Sequence, residues 1–157
     1  MNEYLIVKWL HILSSTLLFG TGLGSAFYMF FTNRTRNVAA IAVITRKVVI
    51  ADFLFTTPTA IIQPLTGFWL AHLAGLSIST LWVMWSVALY VVAGACWLPV
   101  VWLQIRMARM AERAAATGTA IPPLYWRYHA IWVALGIPAF VAFIGIFYLM
   151  VVKPVMA

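Results

Sequence analysis

Lys8 and His11 stand three residues apart at the head of residues 8–31, a stretch that is otherwise almost wholly apolar. That spacing is close to one helical turn, so the two groups share a face. A neutral imidazole is a good axial ligand for iron. A lysine one turn nearer the membrane surface could extend towards water and meet a carboxylate on the same ligand. Lys153 should emerge at that surface too. A macrocycle bearing two acid groups would use such a set. The competing reading is a core histidine bonded to a carbonyl or hydroxyl, with Lys8 paired to Glu3 or to a lipid headgroup.

The other ionisable residues are fewer and more ambiguous. His72 falls on the helix face opposite Asp52 and Gln63, which suits the membrane interface. His129 falls a full membrane width from Lys8, so it cannot share an iron with His11. Met29, Met84 and Met150 are conceivable axial ligands, although a methionine in a bundle is usually packing. Asp52 lies one or two turns inside an apolar segment. Its expected partner is an arginine at the same depth, from Arg46, Arg106 or Arg127; the sharper alternative is a proton relay. No nucleophile–base pair, HExxH motif or phosphate loop occurs, so hydrolase and ATPase chemistry has no support.

These residues recur at helical spacing. Lys8, His11, Ser15, Leu18, Gly22 and Ser25 form one stripe, and Asp52, Thr56, Thr59, Gln63 and Gly67 a second. Ser86, Tyr90, Gly94, Trp97, Val101 and Gln104 form a third. His129, Trp132, Gly136, Phe140, Phe143 and Phe147 form an aromatic fourth. Polar groups in lipid are costly, so the stripes should face into a bundle. Small residues on such faces serve close helix packing, and Gly20–Gly24 is a GxxxG pair. A flat macrocycle would ask for the same glycines and the same aromatics. Stripe composition alone does not separate the two.

The elements that must position these residues follow from composition. The chain has 157 residues, of which 65% are hydrophobic and only 8% charged. A soluble domain carries about 25% charged residues, so this is an integral membrane protein of a single domain. About 20 apolar residues cross a bilayer, and four segments qualify, near 4–31, 48–73, 80–105 and 126–152. Each must be helical. The first is too long for a signal peptide and lacks a basic leader. The single cysteine, Cys96, excludes an internal disulfide.

The net charge of +7 does not indicate nucleic acid, because the basic residues sit between the apolar runs. Arg34, Arg36, Arg46 and Lys47 occupy the first loop, and Arg106, Arg109, Arg113 and Arg127 the third. The loop around "AGLSIS" carries no charge. Loops one and three are therefore expected in the cytoplasm and both termini in the periplasm. The expected fold is all-α: a transmembrane four-helix bundle in the bacterial inner membrane.

The stretches "YLIVKWLHILSSTLLFGTGLG", "RKVVIADFLFTTPTAIIQPLTGFWLAHLAG", "GACWLPVVWLQIRM" and "VVKP" together resemble a bacterial membrane family catalogued as domain of unknown function 2269, over nearly the whole chain. A more distant likeness is to the HemJ-type protoporphyrinogen IX oxidases, and beyond them to CopD-like membrane proteins. It rests on Tyr4, Lys8, His11, Gly20, Arg46, Pro58, Gly67 and the run from Val151 to Pro154. The resemblance implies a small helical bundle binding haem b, with His11 as a ligand and Lys8 close by. The oxidases' second histidine and acidic motif have no counterpart in "SAFYMFFTNR" and "RYHAIWVALGIP".

The expected site is therefore haem b ligated by His11. Lys8 and Lys153 would hold its acid groups, with Ser15 and Gly22 on the same helix. Tyr90 and Trp97 would line the ring or an electron route to a quinone or porphyrin. The protein would then be a membrane oxidoreductase. Two other classes compete: a cofactor-free accessory subunit of a larger membrane complex, and a small metal or solute carrier lined by Asp52 and Gln63. The expected surroundings are the bilayer and, given the GxxxG spacing, a second copy or a larger assembly.

Overall fold

In lipid the backbone must satisfy its own hydrogen bonds, and this chain does so with helices throughout. A computed structural model describes residues 2–154. The elements are α1 (Glu3–Arg34), α2 (Val38–Ala51), a π-helical turn (Asp52–Thr56), α3 (Thr57–Leu73), α4 (Leu81–Thr117) and α5 (Pro123–Val152). The segment from α2 through the π turn to α3 is unbroken, so the chain folds as four rods. Three helices, α1, α4 and α5, are each long and apolar enough to cross a membrane. The π turn divides the fourth rod.

Two rods overrun their expected ends. The second begins at Val38 rather than near 48, and the third ends at Thr117 rather than near 105. Hydropathy marks where lipid stops, whereas helix ends are set by caps. The Asn37 side chain accepts from the Ala40 backbone N–H at 3.0 Å and starts α2. Gly118, at φ 65°, ends α4 in the left-handed conformation that glycine adopts at no steric cost. Only residues 35–37 separate α1 from α2, and Arg36 takes φ 58° to make that corner. Its guanidinium lies 3.8 Å from the centre of the Trp126 ring.

The two ends of the bundle differ. At the basic end, α2 packs on α4 and α4 on α5 around Met29, Ile41, Leu103, Met107 and Tyr125. Tyr125 Oη donates to Asn33 Oδ1 at 2.7 Å, joining α5 to α1. At the terminal end the pairing is α1 with α3 and α4 with α5. There Phe19 of α1 spans the gap, stacking on Phe140 and meeting Phe143 and Phe147 edge-on. The protein is thus two helix pairs tied at one end by an apolar core.

Prolines adjust the second rod. Pro58 offers no N–H to the Leu54 carbonyl. Just before it the ladder widens, and the Thr57 N–H bonds the Asp52 carbonyl five residues back. Pro64 likewise leaves the Ala60 carbonyl without its helical donor. The Tyr90 hydroxyl of α4 fills that vacancy at 2.5 Å. A break in one helix thus becomes a tie between two.

Candidate functional site

Between the two helix pairs lies a cavity of about 820 Å³. All four rods wall it: α1 through Leu18, Phe19 and Gly22; the second through Asp52, Thr56 and Ala60; α4 through Tyr90, Gly94 and Trp97; and α5 through Trp132, Gly136 and Phe140. Its surface is overwhelmingly apolar. A Cβ placed on Gly22, Gly94 or Gly136 would meet nothing within 4 Å, so each glycine opens onto free space. Phe27, Ile61, Leu98 and Ile137 also line it, and each is more than half exposed. The cavity is therefore open to the outside of the bundle along its apolar flanks.

The polar end of the cavity belongs to Asp52 and Gln104. Both are buried, at 4% exposure each. With its amide oriented to satisfy both neighbours, Gln104 donates to Asp52 Oδ2 and accepts from Trp132 Nε1 at 3.2 Å. The arginine expected beside Asp52 is not there. Arg46 instead faces Glu112 at 3.8 Å on the exposed surface. Arg106 and Arg127, like Arg46, are exposed on their helices, where a long basic side chain keeps its charge at the surface rather than in the bundle.

The second stripe holds at four of its five positions: Asp52, Thr56, Thr59 and Gln63 are buried, while Gly67 is half-buried and its neighbour Thr66 takes the buried place. The first stripe is displaced. Val7, Ser14, Leu18, Met29 and Asn33 are the buried positions of α1, while Lys8 is exposed and Ser15 only half-buried. Lys8 reaches over the Tyr4 ring at 5.8 Å, and Lys153 over Trp82 at 5.8 Å. Ser15 Oγ returns to the Ile12 carbonyl at 2.7 Å. Glu3 accepts from Trp69 Nε1 at 3.2 Å rather than pairing with Lys8. Of the seven residues expected at a site, Gly22, Tyr90 and Trp97 meet at the cavity. Lys8, His11, Ser15 and Lys153 lie nearer the terminal end and do not line it.

His11 has its own environment between α1 and α3. Its ring faces Gly67, where a Cβ would approach Cε1 to 3.3 Å, so the glycine is what admits the imidazole. Gln63 Nε2 donates to the His11 carbonyl at 2.9 Å. His11 Nδ1 is 2.8 Å from Thr66 Oγ1. The single hydroxyl proton of Thr66 goes to the Ile62 carbonyl at 2.7 Å. Nδ1 must then be the donor, which leaves Nε2 as the nitrogen with a free lone pair. A histidine that ligates a metal almost always donates its other ring N–H in this manner. The imidazole therefore presents one acceptor nitrogen, although it lies outside the wall of the cavity. Among the described residues, no three His, Cys, Asp or Glu side chains come together.

The remaining histidines separate as their positions suggest. His72 is exposed near the end of α3. His129, at the basic end, is stacked between Phe30 and Trp132 with centroids at 6.0 and 5.8 Å. Met29 is fully buried in the apolar core and serves packing. Sequence reasoning missed Gln104 as the partner of Asp52, and Thr66 as the partner of His11. Gln104 was visible as the only amide in an apolar stretch of α4. Thr66 was visible as the polar residue next to Gly67.

A family model described as predicted integral membrane protein (DUF2269) matches residues 5–154. No curated protein and no solved structure matches the chain. With the match running over nearly its full length, the chain belongs to the DUF2269 family of predicted integral membrane proteins.

Proposed function

We propose that this membrane protein binds a flat, largely apolar ring molecule drawn sideways from the bilayer, of quinone or porphyrin class, in the cavity between its helix pairs. One observation carries the reading: glycines from three separate rods face open space in the wall of an 820 Å³ aromatic cavity. Glycine in a helix interior costs roughly 1 kcal/mol relative to alanine. Gly22, Gly94 and Gly136 contact no neighbour that would justify that cost by close packing. A planar ligand lying against bare backbone would. Pockets of this size with few polar groups are the usual form of small-molecule sites.

The chain's own groups would then divide the work. Phe19, Trp97 and Phe140 offer ring faces for stacking. Tyr90, fixed by its bond to Ala60, keeps the two helix pairs in register beside the ligand. The test is titration of purified protein in lipid nanodiscs with a short-tailed benzoquinone and with protoporphyrin, read by quenching of tryptophan fluorescence, to which Trp97 and Trp132 in the cavity wall contribute. Saturable quenching by either is expected. Linear, non-saturating quenching by both would remove the reading.

A second reading, haem b held through His11, is favoured by the hydrogen bond that leaves Nε2 unprotonated. When bound, haem supplies one-electron chemistry. Thr66 would fix the tautomer, Gly67 would seat the ring, and Gln63 would hold the backbone of the same helical turn. Localisation in the bacterial inner membrane, with termini in the periplasm, accords with eight basic residues gathered at one end.

A further inference from the structure

Among the described residues, Asp52 is the one carboxyl in the cavity wall. At 4% exposure it is also among the most buried polar residues of the protein. Among the described residues, no lysine, arginine or histidine nitrogen lies within 4.0 Å of it. Such a group is expensive to hold in an apolar wall unless its oxygens are hydrogen-bonded. A leucine there would be cheaper for packing alone.

The protein satisfies part of this demand in a specific direction. Trp132 donates to the Gln104 carbonyl oxygen, which turns the Gln104 amide nitrogen towards Asp52 Oδ2. Asp52 is thereby approached by a donor and used as an acceptor. A carboxylate offers about four lone-pair sites, so capacity remains. The π turn begins at Asp52 and keeps Asp52 and Thr56 together in the cavity wall.

We infer that Asp52 is the polar anchor of the cavity and that its ligand carries a hydroxyl on the ring, donated to the Asp52 carboxyl. This rests on the cavity reading above and narrows it to hydroxylated rings such as a hydroquinone. The apolar body of the ligand lies among Gly22, Gly94 and Gly136, and its hydroxyl end points to the basic end of the bundle. No electron or group transfer is needed for this recognition.

The experiment uses two probes with the same ring and a short alkyl tail: a hydroquinone, kept anaerobic, and its dimethyl ether, which has no donor. Both are titrated into the full chain in nanodiscs. Wild type should bind the hydroquinone about tenfold or more tighter than the ether, the range of a charge-assisted hydrogen bond. Asp52→Leu should lose that preference to within about twofold while still binding the ether. Glu112→Gln, at the exposed ion pair, should keep it. Equal binding of both probes to wild type would overturn the anchor and leave the cavity reading standing, and so would a preference that persists in Asp52→Leu. Failure of both probes to bind wild type would overturn the anchor, and the protoporphyrin titration above would then decide the cavity reading separately. The wild-type comparison decides the matter even if Asp52→Leu fails to fold.

Discussion

Replacing Gly94 with leucine separates ligand binding from folding without touching a polar group. Gly94 is in the middle of α4, and a Cβ there meets nothing within 4 Å. Leucine is near the top of the helix-propensity scale, and glycine costs about 0.8–1.0 kcal/mol relative to alanine. The variant should therefore be more stable by roughly that amount, a rise of about 2–4 °C in Tm for a chain of this size. Its side chain projects into the cavity, where a flat ligand would have to lie. Overfilling a packed site costs about 1–3 kcal/mol, which weakens binding about 5- to 150-fold. Thermal melts followed by tryptophan fluorescence give the first quantity, and quinone titration in nanodiscs the second. A variant that binds as well as wild type would show that the cavity is not where the ligand sits. A variant that melts lower would show that Gly94 serves helix packing after all.

Three further substitutions test other parts of the argument. Tyr90→Phe strands the Ala60 carbonyl that Pro64 leaves free and should cost about 1–3 kcal/mol, read as a lower melting temperature. His11→Ala should abolish any Soret absorbance of protein purified from haem-replete cells, and an unchanged spectrum would take His11 out of the ligand set. Met107→Ala opens a hole in the fully buried core of the basic end and should cost about 2–5 kcal/mol, measured by denaturation in mild detergent.

Much of this architecture is readable from residue order, and the failures have identifiable causes. The stripe Asp52, Thr56, Thr59 and Gln63 was visible because polar residues in an apolar run must face inward, and all four are buried. The α1 stripe was misjudged by one position at two places, since Lys8 and Ser15 border the buried positions Val7 and Ser14. A charged or hydroxyl side chain on a helix flank can turn to the surface or to its own backbone, and spacing alone does not reveal this. The helix ends were misplaced because Arg46, Lys47 and Arg106 interrupt the apolar pattern without interrupting the helix. The tie from Tyr90 to Ala60 was latent in Pro64, whose missing N–H identifies the freed carbonyl but not its new partner. The cavity was the least legible feature. It depends on how two helix pairs splay, which no single helix encodes.

The exposure of Phe27, Ile61, Leu98 and Ile137 in the cavity wall bears on how any occupant is supplied through the open flanks. A molecule arriving through those apolar flanks partitions into the membrane first, so its effective concentration is its mole fraction among the lipids. Hydrophobic transfer from water is then already complete before docking. Only shape and the contact with Asp52 remain to discriminate one membrane-dissolved compound from another. Lengthening a greasy tail on such a compound would raise its abundance in the bilayer without making the protein prefer it.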